Sequence, residues 1–207
     1  MPNPSFKLMS PGKPAAASHV NRQTPQGFMQ LAPHWEEVRR VVGDGQRSAM
    51  HCAIASVSPD GAPHVTPVGT LFLRDNCTGY YFDQYTSSLA RNVDHDARVC
   101  VMAVNSGSWF WFTSLLFGRF KSPPGVRLCG TVSAARPAEP AELQAVRKRV
   151  GHARYLTGGR LLWSQFETVR DIAFTEFHPV TYPSMVEGLW QPVAPDPSFR
   201  AAMAHVP

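Results

Sequence analysis

No two of the four cysteines, Cys52, Cys77, Cys100 and Cys129, are close enough to form a CxxC pair, and none of the eight histidines belongs to an HExxH run. These are the local motifs by which zinc sites are usually recognised, so no metal site is expected. Scattered cysteines also argue against a disulfide-stapled module and for a reducing, cytoplasmic setting. No apolar run approaches the roughly 20 residues of a membrane-spanning helix, and no membrane partner is expected. The first residues are prolines and polar groups where a signal peptide needs an apolar centre. A GxSxG elbow is missing too, which speaks against a serine hydrolase. Positive charge is present but thin. The formal net charge is +5, yet the one dense basic run is Arg147-Lys148-Arg149. That is too little for a nucleic-acid track.

What remains is an ordinary globular composition with an excess of proline, 19 in 207 residues. The length suits one domain with appendages. Residues 1–33 read as a proline-rich, flexible arm, 34–190 as the folded domain and 191–207 as a proline-containing tail. Trp35, Val38, Val41 and Val42 at helical spacing predict a short amphipathic helix from His34, ending near Gly43. Strands follow at Ala49–Val57, His64–Leu73 and Thr78–Asp83. The first two are joined by the hairpin signal Asp60-Gly61, and the three are expected to form a meander. A short helix over Ser88–His95 leads into Arg98–Val104, which is apolar enough to be a central strand. Gly107–Pro124 is aromatic and irregular. A fifth strand is expected over Val126–Ala135, and the clearest helix over Pro137–Val150. That helix has glutamates at its start, a basic run at its end and Gly151 after it. A further helical stretch from about Gly159 to Arg170 and a sixth strand over Ile172–Tyr182 complete the reading. The fold class is mainly β: a six-stranded antiparallel Greek-key barrel with peripheral helices.

Two local features point to a site. In "HVTPVGT", Pro67 and Gly69 interrupt a strand. That is either an ordinary edge with a bulge or a place where the ladder opens towards a flat ligand. In "DQYTSSLARN", Ser87 and Ser88 precede a helix with Arg91 one turn in. They are either helix caps or a phosphate pocket, because a helix start plus an arginine fork suits an anion.

The ordered set "SVSPDGAPHVTPVGTLFL", "GYYFDQYTSSLARNVDHDARVCVMAV" and "VRLCGTVSAARP", with the later "IAFTEFHPVTYPSMVEG", resembles the pyridoxamine 5'-phosphate oxidase-like FMN-binding split barrels from about His34 to Leu189. The resemblance implies a split β-barrel homodimer with FMN at the interface. It implies that His64, Val65, Thr66, Pro67 and Val68 run beside the flavin ring. Phe82, Asp83, Gln84, Ser87, Ser88, Arg91 and Asn92 would handle the ribityl chain and phosphate. Such proteins commonly carry a lysine two residues after the serine, where this chain has Leu89. The implied activity is that of an FMN-dependent oxidoreductase acting on a small molecule, with a nicotinamide donor a candidate partner. The alternatives are a haem-handling or deazaflavin-dependent relative and a non-enzymatic flavin or ligand carrier. True pyridoxamine-phosphate oxidases carry an Arg-x-His element in the tail. Here the tail holds only Arg200 and His205, so that activity is not expected. No catalytic acid or base can be named. Trp109–Phe112 is read as barrel cover or dimer seam before ligand stacking, and Asp94–Asp96 as a solvated helix end.

Overall fold

The computed structural model describes residues 30–84, 86–151, 166–182 and 185–190. One antiparallel sheet carries the fold, in strand order β2-β1-β5-β6-β8-β4-β3 with β7 attached to β8. Its strands are β1 (Cys52–Val57), β2 (Pro63–Val68), β3 (Leu71–Leu73), β4 (Thr78–Phe82), β5 (Arg98–Val104), β6 (Gly125–Val132), β7 (Arg136–Pro137) and β8 (Thr168–Pro179). The helices are α1 (Leu31–Ala49), α2 (Ser87–His95), α3 (Ser108–Phe117) and α4 (Pro140–Val150).

The expected second strand is two strands, and the break curls the sheet. β2 and β3 lie at opposite ends of the strand order, yet only Gly69 and Thr70 separate them. Three peptide steps span at most about 11 Å. The two edges must therefore meet at this corner, rolling the sheet into a barrel whose seam is bridged by Gly69-Thr70. The expected meander is corrected accordingly: β2 pairs with β1, while β4 pairs with β3 and β8. Proline and glycine do not make a bulge here, since the β1–β2 register is unbroken from Cys52↔Val68 to Val57↔Pro63. The observed irregularity lies between Cys129 and Gly130, opposite β8.

Inward positions fill the concave side: Ile54 on β1, Val99, Val101 and Ala103 on β5, Leu128 on β6, Ile172, Phe174 and Phe177 on β8. α1 lays Leu31, Trp35, Val38, Val41 and Val42 onto that core. This helix is longer than expected at both ends and runs through Gly43 and Gly45. Gly45 is used for its size: a Cβ there would lie 3.1 Å from both Ala103 Cβ and Val104 N. The Trp35 indole N–H donates to Arg74 O at 2.8 Å, fixing α1 to the β3–β4 turn.

α4 covers the opposite face of β3–β4–β8. There Val146 joins Tyr80, Phe82 and Val169, with Phe72, Leu143 and Phe166 around them. Its start is held by Glu142, which accepts the Glu139 N–H at 2.9 Å. Its end is held by Arg149, which donates to Gly69 O and Leu71 O at 3.3 Å and lies 4.2 Å over the Phe72 ring.

Two further expectations change. The irregular aromatic stretch is helix α3, and its all-round apolar composition hides a helical period. Trp109, Phe112, Leu115, Leu116 and Phe117 are exposed, while Phe110 and Trp111 pack against Phe120. Of the helix expected over Gly159–Arg170, Thr168–Arg170 belong to β8, and 152–165 lie outside the described residues. No helix among the described residues is long and apolar enough to cross a membrane.

Candidate functional site

α2 begins without the side-chain cap that its sequence offers. The residue before it, Thr86, donates its hydroxyl to Asp83 Oδ1 instead of accepting a helix N–H. Helix geometry leaves the first N–H groups without carbonyl partners. Among the described residues, those of Ser87, Ser88 and Leu89 have none, and Ala90 N is the first to bond back, to Thr86 O at 2.7 Å. The Ser87, Ser88 and Arg91 side chains are exposed and make no hydrogen bond or ion pair among the described residues. Polar groups and positive charge thus gather unshared around the helix start.

The elements that hold α2 are, by contrast, fully engaged. Leu89 and Val93 sit in the main core, Leu89 at 0% exposure. Asn92 is buried and donates to Ser56 Oγ of β1 at 3.0 Å. Arg170 of β8 reaches both ends of the helix, with Nε 2.6 Å from Asp83 Oδ2 and Nη1 2.7 Å from Asp94 Oδ1. The Arg170 hydrogen bond holds the Asp94 carboxyl below its ordinary range, so this residue is more than a solvated helix end. Burial opposes charge on Arg170, but its two carboxylates outweigh that and hold its pKa above the ordinary value. Asp96, bonded to the side chain and N–H of Arg98, is lowered to about 2.

β1 links β2 to the middle of α2. His64 stands opposite Ser56, the residue that Asn92 bonds, so β2 and α2 meet across β1. His64, Thr66 and Val68 share the face of Ser56, Ile54 and Cys52, while Val65 and Pro67 point outward. His64, Val65 and Pro67 are exposed, Val65 at 68%. β2 pairs only with β1 among the described residues, so it is an edge that tolerates its prolines.

The expected site residues therefore divide by role. His64, Ser87, Ser88 and Arg91 have exposed side chains and Thr66 is half-buried, so these five remain open to a ligand. Gln84 adds a buried Oε1 with no hydrogen-bond partner among the described residues. Asp83 and Asn92 spend their polar groups on Arg170, Thr86 and Ser56, and position the others. The Phe82 side chain packs against Phe72, Tyr80 and Phe166, leaving only its backbone available. Leu89, at the position where the resemblance implied a lysine, stands in the core, and a charge there would be desolvated. Sequence reading missed Arg170 and Ser56. The available signal was an arginine at an inward phase of a strand, where an unpaired charge is costly.

A second polar cluster lies on the α4 side. Arg74 and Arg136 both bond Glu142 and Asp171, at 2.6–2.8 Å in the closest contacts. The Arg136 hydrogen bond, then Arg74, hold Asp171 below its ordinary range. Burial raises the Glu142 pKa, but the Arg136 and Arg74 bonds outweigh it and leave the carboxyl lowered. A cleft of about 1040 Å³ beside α3, lined by Trp109, Phe110, Phe117, Phe120 and Met185 among others, shares no residue with the α2 site.

The sequence pattern of the family described as pyridoxamine 5'-phosphate oxidase matches residues 39–180. No curated protein is significantly similar in sequence. Among solved structures, an FMN-binding protein from Syntrophomonas wolfei subsp. wolfei superposes with a TM-score of 0.51 at 12% identity, over 72% of this chain and 90% of its own. HutZ, the haem storage protein of Vibrio cholerae, gives 0.45 at 13% identity, over 73% and 95%. HupZ of Group A Streptococcus gives 0.46 at 15% identity, over 70% and 92%. At these identities the likeness is one of fold.

Proposed function

The chain belongs to the pyridoxamine 5'-phosphate oxidase family, and from that premise we propose that it binds FMN between β2 and the start of α2 and serves as an oxidoreductase on a small molecule. The observation that carries this reading is the set at the α2 start that has no partner among the described residues: backbone N–H donors, two serine hydroxyls and Arg91, with Gln84 Oε1 nearby in sequence. That donor set fits a phosphate monoester. Ser87, Ser88 and Arg91 would hold the phosphate, and Gln84 would accept from the chain or ring that follows it. His64–Val68 would border the ring, with His64 and Thr66 on the α2 side. When bound, FMN supplies hydride or electron exchange. The residues of this chain bind and orient it, and none is assigned as acid or base.

With Leu89 buried in place of the family's lysine, Arg91 is the one cation in this turn. Charge-assisted bonds of this kind contribute about 1.5–3 kcal/mol each. The open β2 edge and the outward Val57, Val65 and Met102 form an apolar face, which supports a homodimer that covers it and completes the site. The Arg200 and His205 tail lies outside the described residues, and negligible turnover of pyridoxamine phosphate remains the expectation.

Denaturing the purified protein and identifying the released chromophore tests the reading, followed by titration of the emptied protein with FMN. Saturable binding at micromolar FMN or below is expected. A Soret band with no FMN binding would instead favour a haem-handling relative, and a colourless protein that ignores FMN would refute the cofactor assignment.

A further inference from the structure

Three side chains that the cofactor site does not use converge on the outer face of the sheet, with a fourth, Cys100, beside them. Cys129 on β6 and Glu176 and His178 on β8 each bring one ligand atom within 4.8 Å of the other two. Glu176 Oε2 already lies 3.5 Å from His178 Nε2. Cys100 on β5 stands directly opposite Cys129, and Glu176 directly opposite it on the other side.

Strand register makes this cluster, which is why sequence spacing gave no hint of it. A β-bulge does the aiming. Cys129 pairs with Glu176 but Gly130 pairs with Phe174, so Thr175 is an extra residue in β8. Strict alternation after Ile172 and Phe174 would turn Glu176 and His178 into the core. The extra residue resets the phase, so that Phe177 is buried and both polar side chains face Cys129. Gly130 makes the bulge sterically possible, because a Cβ there would lie 2.3 Å from Ala173 O.

We propose that Cys100, Cys129, Glu176 and His178 form a zinc-binding site on the outer face of β5–β6–β8. Two thiolates, an imidazole and a carboxylate are a borderline-soft set that suits Zn²⁺ and does not suit the oxygen-seeking Mg²⁺ or Ca²⁺. Around tetrahedral zinc, with bonds of about 2.0–2.3 Å, neighbouring ligand atoms lie roughly 3.3–3.8 Å apart. Cys129, Glu176 and His178 reach that spacing by side-chain adjustment of about 1 Å, and Cys100, outside that group, joins it by turning its side chain towards Cys129. Binding replaces the two thiol protons, which pass to solvent, and no redox step is involved. Three anionic ligands exceed the charge of one Zn²⁺, and Arg127, opposite His178 in register, supplies a compensating cation.

The test uses untagged, reduced, metal-stripped full-length protein titrated with Co²⁺ and then Zn²⁺. One Co²⁺ per chain is expected, with thiolate-to-cobalt charge-transfer absorption and the intense visible bands of a tetrahedral site, both abolished by Zn²⁺. Cys129→Ser and His178→Ala should each weaken Co²⁺ binding at least about a hundredfold, the upper limit for losing a mere outer partner of a metal ligand. Cys100→Ser should halve the charge-transfer intensity, and an undiminished band there would overturn the four-ligand assignment. Glu176→Gln keeps the side-chain shape, so it serves as the variant least liable to misfold, and it should weaken binding at least tenfold. Absence of charge-transfer absorption at saturating Co²⁺ would overturn the proposal. So would bands that persist unchanged in folded Cys129→Ser or Glu176→Gln protein.

Discussion

The two ends of the barrel wall treat their polar groups in opposite ways. On the α4 side, Arg74 and Arg136 are divided between Glu142 and Asp171, and each of these four charges has its counter-charge within the chain. At the α2 start, the side chains of Ser87, Ser88 and Arg91 and the buried Gln84 Oε1 have no partner among the described residues. A satisfied network holds elements together, whereas exposed groups bonded only to solvent can exchange that water for a ligand. Arg170 marks the border between the two: it resembles the first group in its bonding, yet what it holds in place is the second.

The contrast is most directly broken at Arg170. Arg170→Met leaves the largely covered Asp83 carboxylate without a counter-charge, and loss of one partner of such a pair costs about 3 kcal/mol, the lower end for a buried one. Urea unfolding should show a loss of that size, and a loss below about 1 kcal/mol would place Arg170 among the dispensable surface charges. Next comes Arg136→Ala, which should cost about 1–2 kcal/mol because its network is partly exposed. Asp171 and Glu142 have lowered folded-state pKa values. Their stabilisation is thus present above the unfolded carboxylate range, near about 4, and is lost as pH falls through the folded values. Unfolding followed against pH should show that acid limb in the parent protein and a flatter one in Arg136→Ala. Smallest is the joint change Ser87→Ala and Ser88→Ala. Stability should stay within about 0.5 kcal/mol, while FMN affinity falls several-fold. A large loss of stability with unchanged FMN binding would make the serines structural, like the α4 network.

Much of this contrast was legible in the sequence, and the reasons differ by element. Helices α2 and α4 and strand β5 announced themselves by period and by terminal residues. α3 did not, because a helix that is apolar on every side has no period to read. The break after Val68 was visible as Pro67 and Gly69, but its consequence was not, because carrying the chain from one sheet edge to the other is a property of the closed sheet. Ser87, Ser88 and Arg91 were found by local spacing. The roles of Asp83 and Asn92 were not, since their partners Arg170 and Ser56 are distant in sequence and are brought near by the β4–β8 pairing and by the packing of α2 on β1.

The central claim, that the unshared groups at the α2 start recognise a phosphate, is tested most directly by comparing FMN with riboflavin in the parent protein and in Arg91→Ala. The two ligands differ only in that phosphate. FMN should bind the parent protein more tightly, and the variant should lose about ten- to hundredfold in FMN affinity, the equivalent of about 1.5–3 kcal/mol. Its riboflavin affinity and unfolding midpoint should be unchanged. Equal weakening of both ligands, or no weakening of either, would contradict the account.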